Sequence, residues 1–389
     1  MRPAATSEHA NPETPQRPRS PELNGFNLLG RVLHAIGAVT RSNASRILSE
    51  KPIRDLSDRR ERARLFEEWQ REGRKNQNPA QKRSARKRIL DEAHVRDEIL
   101  ERYLDQKDVR YSGDDFGEIS ARYADVRPSP ESADHTKPPI VLIPGISNDL
   151  LSVDALVKEL AFSGRRVIVI GHPDSQMGTI SSEFADAVDG SPGYVAHAKF
   201  FQDAINQVLP EGSPIELWGF SAGGPISAEM LTNNPEFSKR VQRLVLANPA
   251  GAVKQNLMQM GIGLLREVKN ILQPIAFSAY SLVMGRDVKN GTPPEADGQR
   301  LLKEKVLFAL ARRLGQPTDW NALRVSEGGT IVVGIGLADD VTKAPKAFHG
   351  VKNGRQAHPQ EMKVVEFPGH THNGVLIDSA NFIKQIGAA

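Results

Sequence analysis

Short β-rich segments alternate with helical stretches along most of the chain after Tyr111. Units of a parallel sheet require this alternation, because each strand is followed by a crossover helix. Several segments are almost entirely apolar, which is typical of strands covered on both faces. The sequence therefore predicts an α/β fold with a mostly parallel, doubly wound sheet. The candidate strands are 119–126, 140–143, 165–171, 215–220, 243–248, 330–336 and 363–367.

One interval between candidate strands is far longer than a crossover helix needs. It separates Asn248 from Thr330, and an inserted helical cap over 253–329 is the economical interpretation. The first half of this interval is rich in apolar residues and holds three of the seven methionines. Flexible thioethers suit irregular apolar ligands, although these residues could equally form the core of the cap itself. The remaining core is predicted to comprise 111–252 and 330–389.

The N-terminal part differs in composition from the rest of the chain. Residues 1–110 hold 24 Lys and Arg against 17 Asp and Glu. Residues 1–25 are polar and proline-rich, which predicts a disordered tail, and 26–110 are predicted to form a basic helical extension. Within it, 26–48 have the spacing of an amphipathic helix that docks on the protein or rests on an anionic membrane. Acids alternate with bases further along, so nucleic-acid binding is not expected.

Composition also bounds the chemistry and the location. The absence of cysteine excludes disulfides, thiolate metal sites and cysteine nucleophiles. No apolar run reaches the roughly 18 residues of a transmembrane helix, and Arg31 and His34 interrupt the one stretch resembling a signal sequence. A cytoplasmic or peripheral membrane location is expected, and a nonstandard secretion route stays open.

A glycine-rich turn follows the candidate strand 215–220. Residues 219–223 read Gly-Phe-Ser-Ala-Gly, which matches G-x-S-x-G between a strand and a helix. A sharp strand-to-helix turn forces the serine into an unfavourable backbone conformation, and the flanking glycines remove side chains that would collide. The pattern predicts that Ser221 is a nucleophile presented at a tight corner.

With this turn, the chain resembles the α/β-hydrolase fold family over roughly residues 117–388. Residues 138–146, PPIVLIPGI, resemble the strand and oxyanion loop of that family, with Pro144 where histidine is usual. Residues 241–251, VQRLVLANPAG, are similar to the strand after the nucleophile helix. The resemblance implies a serine hydrolase with an inserted cap, an acid and a histidine following the serine in chain order, and oxyanion donors from the backbone N–H groups of Ile146 and Ala222.

Two pairs of residues are candidates for the acid and the histidine that follow the serine. Asp339 and Asp340 follow the strand 330–336, and the Gly-x-x-Asp pattern of the family favours Asp339. His370 and His372 both precede the final helix. Gly369-His370 resembles the commoner family form, whereas the distance to the final helix favours His372. Both pairs stay open at this point.

The expected activity is hydrolysis of a carboxylic ester or thioester, with an acyl or lipid-like substrate, through an acyl-enzyme on Ser221. An acyltransferase and a non-catalytic binding or scaffold protein of the same fold are the alternatives. A metal site built from the two histidines and two aspartates lacks a recognisable second ligand pair, so neither metal nor cofactor is expected. The sequence leaves the oligomeric state open.

Overall fold

A mostly parallel sheet forms the centre of the part of the chain that the structure describes. This computed structural model describes residues 105–128, 133–146, 150–175, 177–256, 297–343 and 362–387, with isolated positions at 63–103, 259–263, 345 and 348. Eight strands lie in the order β1-β2-β4-β3-β5-β6-β7-β8. They are β1 (Lys107–Gly113), β2 (Gly117–Val126), β3 (Ile140–Ile143), β4 (Val167–Ile170), β5 (Ile215–Phe220), β6 (Val241–Ala247), β7 (Thr330–Gly336) and β8 (Met362–Phe367).

The sheet confirms the predicted fold class. Strands β3 to β8 pair in parallel, and β3, β4, β5 and β6 are buried along most of their length. All seven predicted strands are present, and the bounds of β3, β5 and β7 are those expected. Helices cover both faces, as the apolar strands require.

The strand β1 corrects one predicted boundary, because 107–110 had been assigned to the helical extension. It pairs antiparallel with β2, from Lys107 opposite Tyr123 to Gly113 opposite Gly117. Only Val109 in this strand is fully buried. An edge strand with so few apolar contacts has no strong sequence signal, so the sequence does not predict it.

The helices form one layer on each face of the sheet. On one face, α1, α7 and α8 pack with Trp218, Phe220 and Leu142. On the other, α2 to α6 contribute to a larger apolar cluster with Val141 and Leu217. The helices are α1 (Asp154–Phe162), α2 (Ser182–Gly190), α3 (Val195–Val208), α4 (Gly223–Asn233), α5 (Pro235–Arg240), α6 (Asp297–Leu314), α7 (Gly374–Ile377) and α8 (Ser379–Gly387).

Part of the predicted N-terminal extension packs on the sheet. Described positions between 63 and 103 are helical, and Ile99 and Tyr103 are each 1% exposed within the cluster that contains α1. The Tyr103 hydroxyl donates a hydrogen bond to the Leu150 carbonyl. The predicted tail 1–25 and the predicted amphipathic helix 26–48 lie outside the described residues. Among the helices that are described, none is both long and apolar enough to cross a bilayer.

The predicted cap interval is described in part. Its helix α6 lies against the segment that leads into α2, where Gln299 exchanges two hydrogen bonds with the backbone of Ile180 and Lys303 donates to the Gly178 carbonyl. Most of the apolar first half of the interval, including 264–296, lies outside the described residues. The cap therefore stays a prediction, with α6 as its described portion.

Candidate active site

Ser221 stands at the corner between β5 and α4 with a left-handed backbone, φ 53°. The two glycines of the motif make this corner sterically feasible. A Cβ at Gly219 would lie 2.5 Å from the Gly223 carbonyl oxygen, and one at Gly223 would lie 2.2 Å from the Ile143 carbonyl oxygen. Non-bonded atoms in a folded protein do not approach this closely, so side chains at either position would push α4 away from the sheet.

The backbone of the corner is also held by hydrogen bonds. Ser221 N–H donates to the Ala247 carbonyl at 3.0 Å, and the Ser221 carbonyl accepts from Gly224 and Ala250, both at 3.0 Å. These bonds tie the corner to the end of β6 and to α4. They offset the cost of about 1–3 kcal/mol that a strained backbone position carries.

Ser221, His372 and Asp339 form a continuous hydrogen-bonded chain. Ser221 Oγ lies 2.9 Å from His372 Nε2, and His372 Nδ1 lies 3.0 Å from Asp339 Oδ2. The three residues are 7%, 6% and 5% exposed, so the chain is largely shielded from bulk water. This order of hydroxyl, imidazole and carboxylate is the arrangement that activates a serine.

The loop after β7 holds the Asp339 carboxylate in place and keeps it ionised. Its Oδ1 accepts from the backbone N–H groups of Val341 and Thr342, at 2.8 and 3.1 Å, and its Oδ2 accepts from the Thr342 hydroxyl at 2.6 Å. Burial alone raises the pKa of Asp339, but the His372 ring and the Thr342 hydrogen bonds outweigh it. The net pKa lies below the ordinary value of 3.8.

Asn248 joins the loops that carry the three groups, and no sequence motif marks it as a site residue. This fully buried side chain donates to the His372 carbonyl at 2.7 Å and accepts from Gly336 N–H at 2.7 Å. Its backbone is left-handed, φ 44°. The sequence signal for it is weak, because an asparagine after a strand commonly marks a turn.

The two predicted oxyanion residues lie at the ends of neighbouring strands. Ala222 precedes the first residue of α4, and Ile146 follows the end of β3, which pairs with β5 through Ile143 and Gly219. Pro144 passes close to Gly223, where an added Cβ would lie 2.9 Å from the Pro144 carbonyl oxygen. Residues 147–149 lie outside the described residues.

The alternative residues of each pair are placed elsewhere. His370 Nε2 lies 3.3 Å from Asp378 Oδ2, and the ring stacks on Phe367 with centroids 5.3 Å apart. Asp340 is exposed, and its carbonyl lies beside Gly263. The structure therefore brings Ser221 together with His372 and Asp339, and it does not bring His370 or Asp340 into that chain.

Comparisons with known proteins give one family-model match and several similar solved structures. Residues 138–282 match a family model described as alpha/beta hydrolase fold. A probable hydrolytic enzyme from Pseudomonas aeruginosa is similar at 16% identity and a TM-score of 0.48, covering 72% of this chain and 92% of that chain. A thermophilic esterase from Thermogutta terrifontis is 17% identical with a TM-score of 0.47, covering 72% of this chain and 97% of that chain. A carboxylesterase from Bacillus subtilis is 14% identical with a TM-score of 0.44, covering 77% of this chain and 96% of that chain. Comparison with curated protein sequences gives no match.

The protein has the alpha/beta hydrolase fold, and the resemblance predicted from its sequence is confirmed. Esterases are among the solved structures to which it is similar.

Proposed function

We propose that the protein is a serine hydrolase that cleaves a carboxylic ester or thioester through an acyl-enzyme on Ser221. The observation that carries the proposal is the chain of 2.9 and 3.0 Å contacts from Ser221 Oγ through His372 to Asp339. A serine hydroxyl is a weak nucleophile at neutral pH unless a base takes its proton. The His372 ring is in position to be that base.

The first half of the reaction forms the acyl-enzyme. Ser221 Oγ attacks the carbonyl carbon of the substrate while its proton passes to His372 Nε2. The resulting imidazolium then gives this proton to the leaving alcohol or thiol as the tetrahedral intermediate collapses. Asp339 holds the ring with Nδ1 protonated and stabilises its positive charge, and its lowered pKa keeps it ionised at neutral pH.

The second half returns the free enzyme. Water donates a proton to His372 Nε2 and attacks the acyl carbon, and the same ring then reprotonates Ser221 Oγ as the acid leaves. In both halves we assign the oxyanion to the backbone N–H groups of Ala222 and Ile146. Backbone donors do not depend on the side chain before them, so Pro144 is compatible with this role.

We infer an apolar acyl group as the substrate class. Ile262 and Leu337 are each 45% exposed, and both lie near the loop that carries Asp339. Exposed apolar side chains near this loop favour an acyl chain over a polar one. A panel of p-nitrophenyl esters of increasing chain length tests this inference, with kcat/KM expected to rise from acetate to medium or long acyl chains.

Covalent labelling tests the central proposal. A fluorophosphonate probe is expected to modify the wild-type protein once, on the peptide that contains Ser221, and to leave Ser221→Ala unlabelled. His370→Gln is the matched control, because it changes a neighbouring histidine outside the hydrogen-bonded chain and should still be labelled. Absence of labelling in folded wild type would favour a non-catalytic binding protein instead.

A further inference from the structure

A second cluster of chemically active side chains lies outside the Ser221 site. His172 and Asp174 follow β4, and His197 stands in the first turn of α3. Both histidines are 0% exposed, and the Asp174 side chain is 2% exposed. A carboxylate this deeply buried is costly unless it is paired or binds a metal.

The three side chains converge on one point. His197 Nε2 lies 3.1 Å from Asp174 Oδ1, and His172 Nδ1 lies 3.8 Å from the same oxygen. One ligand atom from each residue falls within 4.8 Å of the others. With bonds of about 2.0–2.2 Å, ligand atoms on a tetrahedral zinc ion lie about 3.3 Å apart. The 3.1 and 3.8 Å separations from Asp174 Oδ1 to the two histidines lie on either side of this value.

The hydrogen bonding of His172 favours a ligand role. Its Nε2 lies 2.9 Å from the Pro144 carbonyl oxygen, which can only accept, so Nε2 carries the ring proton. Its Nδ1 is then a bare lone pair that faces Asp174. This buried atom has no hydrogen-bond partner among the described residues. Histidine ligands of metals commonly donate their other N–H to a backbone carbonyl in this way.

A metal-free cluster accounts for these atoms less well. A proton on His197 Nε2 satisfies that atom and Asp174, but the lone pair of His172 then faces a carboxylate with no donor between them. A bound cation satisfies this lone pair and the carboxylate together. His197 Nδ1 is buried without a partner in the described part of the chain in either case, so the ion leaves fewer unsatisfied atoms.

We propose that His172 Nδ1, Asp174 Oδ1 and His197 Nε2 bind a divalent transition-metal ion of the zinc type. Two imidazoles and one carboxylate are a ligand set suited to zinc, and the chain has no thiolate to compete. Three protein ligands leave the fourth position of a tetrahedral ion to a water molecule, and because all three side chains are buried we assign the ion a structural role. It fastens the turn after β4 to α3 and, through His172, supports the Pro144 carbonyl at the start of the loop that contains Ile146.

Zinc titration of the full-length protein tests this assignment. Chelator-treated wild type is expected to bind one equivalent of zinc by calorimetry, and mass spectrometry of the purified protein should detect the retained metal. Cobalt substitution should give visible absorption of the kind expected from tetrahedral coordination. A folded, metal-stripped protein that binds no zinc saturably would overturn the proposal.

Variants assign the ion to these residues. Asp174→Asn and His197→Gln should weaken zinc binding at least tenfold, whereas His135→Gln, which changes an exposed histidine, should bind as wild type does. Unchanged affinity in both cluster variants would place the ion elsewhere and overturn the assignment. If the variants fail to fold, an anomalous zinc signal in wild-type crystals at these three side chains, or its absence there, decides the question. Ser221→Ala should retain full zinc binding, so this test is independent of the proposed hydrolase activity.

Discussion

At the scale of single residues, two histidines two positions apart have different environments. His372 bridges Ser221 and Asp339, whereas His370 pairs with Asp378 and stacks on Phe367. The sequence could bring both to the loop before the last helix but could not choose between them. The choice depends on the path of this loop. Asn248 holds the loop by donating a hydrogen bond to the His372 carbonyl and accepting one from Gly336 N–H.

Replacing each histidine in turn separates their roles. His372→Gln removes the proposed base, so we expect kcat/KM to fall by more than about a thousandfold. His370→Gln removes one partly exposed contact with Asp378, and we expect a change of less than about threefold. Steady-state kinetics on one p-nitrophenyl ester gives both values. Equal losses in the two variants would contradict the assignment of the base.

The ionisation of Asp339 makes a prediction about stability and pH. Its folded pKa lies below the ordinary value of 3.8, so its contribution to stability is fully present above that value. The contribution is lost as the pH falls through the folded pKa, because the carboxyl group is then protonated in both the folded and the unfolded state. Wild type should exceed Asp339→Asn in free energy of unfolding at about pH 7, and the gap should narrow below about pH 4.

Urea denaturation at several pH values measures this gap. Asp340→Asn is the matched control, because it removes the exposed neighbouring carboxylate, and its difference from wild type should stay within about 0.5 kcal/mol. A gap for Asp339→Asn that stays constant into the acid range would show that the carboxylate is not selectively stabilised.

At the scale of elements, the contact between β5 and α4 determines where the serine stands. The helix approaches the strand so closely that neither flanking glycine has room for a side chain. The sequence predicted this contact well, because the motif and its strand-to-helix context lie within one short segment. The sequence does not predict the cluster of His172, Asp174 and His197, because β4 and α3 are brought together only by the tertiary fold.

The strands were predictable to different degrees for a related reason. Strands buried on both faces, such as β3 and β5, carry continuous apolar runs, and their bounds were found from the sequence. The edge strand β1 buries little, so its residues look like part of a solvated extension. A strand is therefore predictable from the sequence when it is buried on both faces, because burial requires a continuous apolar run.

A glycine substitution tests the close contact at the corner. Gly219→Ala places a methyl group 2.5 Å from the Gly223 carbonyl oxygen, so α4 must move and carry Ser221 with it. A displacement of about 1 Å can cost about a hundredfold in rate, and we expect kcat/KM to fall by at least that factor.

The control for this change is Gly298→Ala in α6, where an added Cβ meets nothing within 4 Å. Gly298 lies at the N-terminal end of this helix, so the change should leave stability within about 0.5 kcal/mol of wild type and kcat/KM unchanged. Thermal melting and ester kinetics on both variants measure these effects. Full activity of Gly219→Ala would contradict this prediction, because it would show that the corner accommodates a methyl group without displacing Ser221.

At the scale of the whole molecule, part of the basic N-terminal region is structural. Ile99 and Tyr103 fill the face of the sheet that α1 and α8 also cover. Removing residues 1–105 should therefore cost about 3–6 kcal/mol of unfolding free energy, from the loss of two buried side chains at about 1.5–3 kcal/mol each.

Removing residues 1–50 leaves every described residue in place and serves as the control. Its unfolding free energy should lie closer to that of the full chain than the value for the 1–105 deletion does, because Ile99 and Tyr103 are retained. Urea denaturation of the three proteins gives the comparison, and equal stability of the 1–105 deletion would show that this region is dispensable to the core. Ester kinetics on the shorter deletion then report on the first 50 residues alone.

The proposed nucleophile, Asn248, Asp339 and His372 follow β5, β6, β7 and β8, which are four neighbouring strands in chain order. A ribosome therefore releases the proposed nucleophile long before it releases the proposed base. On the proposed mechanism, a nascent chain turns over no substrate until its last strand has joined the sheet, so competence for chemistry arrives together with completion of the fold.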